Sequence, residues 1–286
     1  MELIHEAEAL RAVTDARRAA GETVGLVPTM GALHPGHESL IRRALQERAF
    51  VVVSIFVNPL QFGPDEDLAT YPRDETGDLA LCDRLGVHAV WAPSEAQMFP
   101  PGVELPSPDP GPVGDVLEGA ARPGHFAGVL KVVHRLFDAT GPCAAYFGRK
   151  DAQQLFLVRR MVAERDLPVE VVACPTVREA DGLALSSRNA RLSAQDREHA
   201  GCLFLALSEA AALSRAGERD AHALLATMAR EIGATPGAAL DYVAVVGEAD
   251  FQPVPTLESG RTALALAAVR LPGARLIDNL TLPEPA

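Results

Sequence analysis

Short apolar runs, several of them β-branched, recur through the first part of the chain at Val24 to Val27, Phe50 to Phe56, His88 to Trp91, Ala144 to Phe147 and Val169 to Val172. Their lengths and their polar, Gly or Pro borders predict β-strands. Amphipathic segments lie between them. Ser39 to Arg48 puts Leu40, Ile41, Ala44 and Leu45 on one stripe, and Val129 to Ala139 does the same with Val129, Val132, Val133, Leu136 and Phe137. Near-continuous apolar strands alternating with helices predict an α/β fold, a parallel sheet with helices on both faces, whose ligands sit beyond the C-terminal ends of the strands. Pro100 to Pro112 is dense in Pro and Gly and reads as a surface loop, since the alternation resumes beyond it. After about Pro175 the texture changes. A long Ala- and Leu-rich helical pattern from Ala194 to Leu213 is followed by Ala221 to Ile232, then by strand-like Asp241 to Val246 and Thr262 to Val269. That order predicts a smaller C-terminal α+β domain, with the division placed at 1–176 and 177–286. The tail from Leu282 to Ala286 is expected to fray.

Composition narrows the class. A chain of 286 residues buries a core without staples, and Cys82, Cys143, Cys174 and Cys202 are too scattered for a CxxC pair or a zinc site. They read as small core residues in a reducing compartment. Met1 to Glu6 carries neither a basic nor an apolar leader pattern, and no run approaches a membrane span, so a soluble, cytoplasmic protein with no membrane partner is expected. The net charge of −12 argues against a broad nucleic-acid footprint, although a local basic pocket for one anionic ligand is compatible with it.

Three segments carry candidate chemistry. In Val27 to Leu40 a His34-Pro35-Gly36-His37 sequence stands between the first predicted strand and the helix after it, where a helix N-terminus presents N–H groups and positive potential to an anion. Two imidazoles there can stabilise charge on a departing phosphate, although the same pair also reads as ordinary turn and helix-start residues. Neither a Walker A loop nor GxGxxG occurs. A second segment, Phe147 to Gln154, offers Gly148 for close backbone approach, Lys150 as a point charge for phosphate, and Asp151 either as a ribose acceptor or as a plain helix cap. The third, Leu185-Ser186-Ser187-Arg188-Asn189, supplies two hydroxyls and a guanidinium suited to a polyphosphate, or an ordinary loop leading into a helix. Together they direct His34, His37, Lys150, Ser186, Ser187 and Arg188 at one anion. A metal site on His34 and His37 lacks HExxH spacing and a third ligand, so no protein metal site is expected, whereas Mg2+ carried by ATP phosphates needs few protein ligands.

Five runs in order, Pro28 to His37, Phe56 to Phe62, Arg122 to Phe126, Phe147 to Gln154 and Glu179 to Asn189, with Ala274 to Leu280 near the end, resemble those of the pantothenate synthetases. HxGH alone marks only the wider nucleotidylyltransferase superfamily. The resemblance implies a Rossmann-like N-terminal domain that binds ATP and pantoate, a smaller C-terminal lid and a homodimer. It implies that ATP lies along Met30, Gly31, Ala32, Leu33, His34, Pro35, Gly36 and His37, and that Gly148, Arg149, Lys150, Asp151, Val177, Leu185, Ser186, Ser187 and Arg188 also hold the nucleotide. His37, His34 and Lys150 are the implied catalytic residues. Gln61 and Gln154 match glutamines that hold pantoate, and Gln61 also borders the β-alanine site. Arg149 stands where the family commonly has an acidic residue, which puts a side-chain role there in doubt. The implied reaction joins (R)-pantoate to β-alanine through pantoyl adenylate, releasing pyrophosphate and AMP. A nucleotidylyltransferase that leaves AMP on its product, and a noncatalytic nucleotide-binding regulator, are the alternatives.

Overall fold

The structure, a computed structural model, describes residues 1–63 and 67–283, so the tail expected to fray falls largely outside the described residues. The chain divides into two compact units, one made of 1–149 with 157–175 and the other of 150–156 with 176–286.

The first unit opens with β1 (Glu2–Ile4), α1 (Ala7–Ala19), β2 (Val24–Thr29), α2 (Pro35–Glu47) and β3 (Phe50–Ile55). It continues through α3 (Glu75–Leu85), β4 (Ala89–Trp91), the single turns α4 (Glu95–Met98) and α5 (Glu118–Ala121), α6 (His125–Thr140) and β5 (Cys143–Gly148). The helix α7 (Ala152–Glu164) starts in the second unit and leads back to β6 (Val169–Cys174) in the first. The six strands pair in the order β1-β4-β3-β2-β5-β6, all parallel, as the apolar runs predict. Val51, Val52 and Val53 of β3 and all of β4 are buried, which fits strands covered on both faces. From β2 the sheet grows through β3 and β4 on one side and through β5 and β6 on the other. The crevice of such a sheet therefore opens beyond the C-terminal ends of β2 and β5, at Thr29 and Gly148.

The second unit holds α8 (Ala194–Ala200), α9 (Cys202–Arg215) and α10 (Ala221–Gly233), then β7 (Ala239–Gly247), β8 (Ala263–Arg270) and β9 (Arg275–Leu282) in an antiparallel sheet. Its core packs Leu203, Leu207, Leu224, Met228 and Ile232 of the helices against Val245, Ala265, Ala267 and Val269. The helical pattern over Ala194 to Leu213 is two helices rather than one. Gly201 ends the first and opens the second, consistent with the poor helix propensity of glycine. The edge strands β1 and β9 and the helices α1, α3 and α7 were not marked by the apolar pattern; β1 is only three residues long, with one buried position. The Pro100 to Pro112 stretch is mostly exposed and leads into a 3-10 turn at Pro112–Asp115. The cysteines are unpaired thiols, buried at Cys82, Cys174 and Cys202 and partly covered at Cys143.

Candidate active site

The HxGH segment occupies the turn from β2 to α2. Thr29 at the strand end donates from Oγ1 to the Ser54 carbonyl (2.6 Å) and accepts from the Gly31 N–H (3.2 Å). Gly31 and Ala32 both take positive φ, +79° and +50°. For Ala32 this left-handed backbone carries strain that the surroundings must hold. Asp78, on α3, supplies the hold: Oδ2 accepts from Ala32 N–H (2.8 Å) and Oδ1 from Leu33 N–H (2.7 Å). A Cβ added at Gly31 would stand 2.8 Å from Asp78 Oδ2, so the close approach also needs glycine. Burial pushes the Asp78 carboxyl above the usual aspartate range, outweighing the two N–H bonds that favour its charge.

His34 is the N-cap of α2, with extended backbone, and Pro35 follows at the first helical position. An imidazole here takes the part usually played by Ser, Thr, Asp or Asn. His34 Nδ1 accepts from Gly36 N–H (3.1 Å), His37 Nδ1 accepts from His34 N–H (3.4 Å), and the rings lie 4.1 Å apart. A nitrogen that accepts an N–H carries no proton, so each neutral ring keeps its proton on Nε2. The turn thus differs from a backbone phosphate cradle: the N–H groups of Gly31, Ala32, Leu33, His34 and Gly36 have internal acceptors.

Gln61 lies near the same turn. It ends a 3-10 turn, Pro59–Gln61, capped by Asn58. Gln61 Nε2 donates to the Met30 thioether (3.1 Å), while Oε1 accepts from Asn58 Nδ2 (3.1 Å). Asn58 is buried and also donates to the Gly128 carbonyl. The Gln61 carbonyl accepts from His125 Nδ1 (2.9 Å) and Arg122 Nη2 (3.1 Å), and Arg122 Nη1 lies 3.0 Å from His125 Nε2. With Arg122 donating to Nε2, His125 is the opposite tautomer from His34 and His37, protonated on Nδ1.

The remaining candidates sit in the second unit, apart from Gly148, the last residue of β5, and Arg149, which follows it, both in the first. The Lys150 ammonium is 3.4 Å from Asp151, and the Lys150 carbonyl accepts from Asn279 Nδ2 (2.8 Å). Next to Asn279, buried Asp278 pairs with both terminal nitrogens of Arg178, whose guanidinium also donates to the Gly182 and Asn279 carbonyls and stacks 4.6 Å over Phe204. Burial still leaves the Asp278 carboxyl above its usual range, with Arg178 acting against that shift. Gly182, at φ +91°, has Phe204 where a Cβ would stand, so no larger residue fits. Val177 accepts from Leu185 N–H, and Ser186 Oγ accepts from Arg188 N–H, capping the 3-10 turn Ser187–Arg191. Asn189 ties this turn to Glu179 and to the Ala184 carbonyl, and Arg197 fastens Glu179 and Asp181. Gln154 lies partly covered in the first turn of α7.

The structure therefore gathers Met30 to His37 with Gln61 in one unit, and Lys150, Asp151, Gln154, Val177 and Leu185 to Arg188 in the other. The sequence reading did not single out Asp78, Asn58, Asn279 or the Arg178–Asp278 pair. Asn58 carries a local signal, since Asn before Pro initiates turns. The signal at Asp78 is a charge at the position four residues before buried Cys82, on the covered face of α3.

A family model described as pantoate-beta-alanine ligase matches residues 2–281. The pantothenate synthetase of Roseiflexus castenholzii is 52% identical over 267 residues, covering 93% of this chain and 95% of its own length. That of Rhizorhabdus wittichii is 49% identical over 288 residues and the whole of both chains. The crystal structure of pantothenate synthetase from Thermus thermophilus matches with a TM-score of 0.90 and 45% identity, over 98% of this chain and 99% of that one. The pantoate-beta-alanine ligase of Francisella tularensis, complexed with beta-gamma ATP and β-alanine, matches with a TM-score of 0.78 and 32% identity, over 98% of this chain and 97% of its own. With the whole length matched in sequence and the parallel sheet matched in structure, the chain belongs to the pantoate-beta-alanine ligase family and is an ATP-dependent ligase that joins pantoate to β-alanine.

Proposed function

We propose that the ligation runs through pantoyl adenylate and that His34, His37 and Lys150 serve its formation. A pantoate carboxylate oxygen attacks the α-phosphorus of ATP, the bond from that phosphorus to the bridging oxygen breaks, and pyrophosphate departs with the growing charge. The observation that carries this reading is the pair of imidazoles held beyond the C-terminal end of β2 by backbone N–H bonds to Nδ1, which puts the proton of each neutral ring on Nε2. Donors fixed before reaction, aimed where charge develops, are each worth about 3 kcal/mol of transition-state stabilisation. In this reading Met30 to His37, Gly148 to Asp151, Val177 and Leu185 to Arg188 hold ATP, Gln61 and Gln154 hold pantoate, and Gln61 borders β-alanine. The β-alanine amine then attacks the acyl carbon, the bond to AMP breaks, and the amine gives up a proton as the amide forms. An acyl adenylate hydrolyses readily, so exclusion of water by residues 177–286, acting as a lid on 1–176, belongs to the proposal.

The Francisella ligase's complex with beta-gamma ATP and β-alanine supports the nucleotide and amine sites. Mg2+ is proposed to accompany the ATP phosphates and to neutralise part of their charge. No group of three or more His, Cys, Asp or Glu among the described residues could hold an ion by itself, so phosphate oxygens and water would supply most of its ligands. A homodimer in the cytoplasm completes the proposal; no helix among the described residues is long and apolar enough to cross a membrane. The test is pantoate-dependent exchange of pyrophosphate into ATP without β-alanine. Exchange is expected, and its absence from an enzyme that still makes pantothenate would exclude the adenylate route.

A further inference from the structure

Asp78 lies at position 4 of α3 and is 3% exposed. An ionisable group is costly to bury, and an apolar residue would fill the same space more cheaply. What the carboxylate supplies is geometry. Its two oxygens reach across 45 and 46 positions of sequence and take successive N–H groups, those of Leu33 and Ala32. That fork fixes two adjacent peptide planes, one of them at the strained φ of Ala32, and the next residue is His34. Tilting those planes would move the N-cap imidazole and, through the His34 N–H bond to His37 Nδ1, the second ring.

We infer that Asp78 is a positioning residue for adenylate formation: its carboxylate clamps the Ala32–Leu33 backbone and so fixes the Nε2–H edges of His34 and His37. This rests on the proposed role of the two histidines. Asp78 does not touch the reacting atoms in this scheme and acts through the turn. Asparagine at this position keeps the shape but offers one acceptor, and it turns an N–H group toward the other backbone N–H.

The experiment compares wild type, Asp78→Asn, Asp74→Ala and His37→Ala in pyrophosphate exchange, together with 15N NMR of the histidine rings. Asp74 caps α3 by accepting from Gly77 N–H, so Asp74→Ala weakens the same helix without touching the turn. Asp78→Asn is expected to lower kcat about 10- to 100-fold, the cost of a displaced reacting group, with KM for ATP and pantoate within about threefold. The Nδ1 and Nε2 signals of His34 and His37 should shift in the same variant, while Asp74→Ala lowers the melting temperature and keeps kcat and ring signals. Wild-type kcat and ring signals in folded Asp78→Asn would overturn the inference, as would an equal kcat loss in Asp74→Ala. If His37→Ala retained exchange, the reading of the histidines would fall, and the positioning role with it. Should Asp78→Asn not fold, wild-type hydrogen exchange decides: Ala32 and Leu33 amides are expected to be protected, and rapid exchange at both would refute the clamp.

Discussion

Two buried aspartates organise the two units in different ways. Asp78 spends its oxygens on backbone N–H groups, whereas Asp278 faces a guanidinium that itself holds two carbonyls and a ring. Burial raises the carboxyl pKa of both. The N–H fork is directional and adds no positive charge beside the histidines. The Arg178 pair instead matches one buried carboxyl with one guanidinium, next to Asn279, which holds the Lys150 carbonyl. One device sets angles, and the other balances charge.

The largest effect should come from breaking the second device. Arg178→Ala leaves Asp278 without its cationic partner, with the Asn279 N–H still donating, in a site where its side chain is 2% exposed, and loss of about 3–5 kcal/mol of stability is expected. Because the stranded carboxyl would favour its protonated form, the deficit should shrink as pH falls; urea unfolding across pH measures both. Asp78→Asn should cost about 1–3 kcal/mol, the range for one stranded buried donor. If the two losses were equal, the distinction between charge balance and geometry would lose its energetic basis.

Next in size is chemistry. His37→Ala in the first unit and Lys150→Ala in the second should each lower pantoyl-adenylate formation by about 100-fold or more, the scale of one lost transition-state donor. Both proteins should remain folded by near-UV circular dichroism. Near-normal adenylate formation in either would take that residue out of the phosphate site.

How much of this was legible follows from the range of the interactions. The parallel strands β2 to β5 announce themselves because each is buried along most of its length, as with the Phe50–Ile55 run. Strand β1 has one buried position and is held by pairing to β4, which no local pattern records. The HxGH turn stands out because the chain spells it within four residues, but its anchor does not, since Asp78 reaches Leu33 across 45 positions. The same holds for Asn279, which reaches the Lys150 carbonyl across 129. Ordinary helix-cap reasoning put N–H groups toward an anion at α2, yet the histidine rings take up those of His34 and Gly36, a detail set by rotamers rather than by sequence spacing.

A smaller effect separates substrate from nucleotide. Gln154→Ala should weaken pantoate binding by about 1–3 kcal/mol, the cost of leaving a buried polar partner unpaired, while ATP affinity measured alone barely moves. Calorimetry with each ligand reads this directly. Unchanged pantoate affinity would remove Gln154 from the substrate site, and equal weakening of both ligands would indicate general damage rather than a lost contact.

The smallest effect tests the comparison at the surface of the second unit. Asp181 is also held by an arginine, Arg197, but its side chain is 45% exposed, and the Arg197 hydrogen bond lowers its pKa instead of burial raising it. A lowered folded-state pKa means that the group's contribution is fully present above the ordinary aspartate value of about 3.9 and is lost as pH falls through the lower folded value. Asp278 and Asp78, with raised values, have the opposite sign: their contribution is greatest below the unfolded pKa and is lost as pH rises through the folded one. Asp181→Asn should therefore cost about 0.2–1 kcal/mol at neutral pH, as for other solvent-screened pairs, and should flatten the acid limb of the stability profile. Asp78→Asn should leave that acid limb steeper relative to neutral pH, because it removes a carboxyl that favours folding when protonated. Urea midpoints at about pH 3, 5 and 7 distinguish these slopes, and the same change of slope in both variants would mean that burial does not decide the sign.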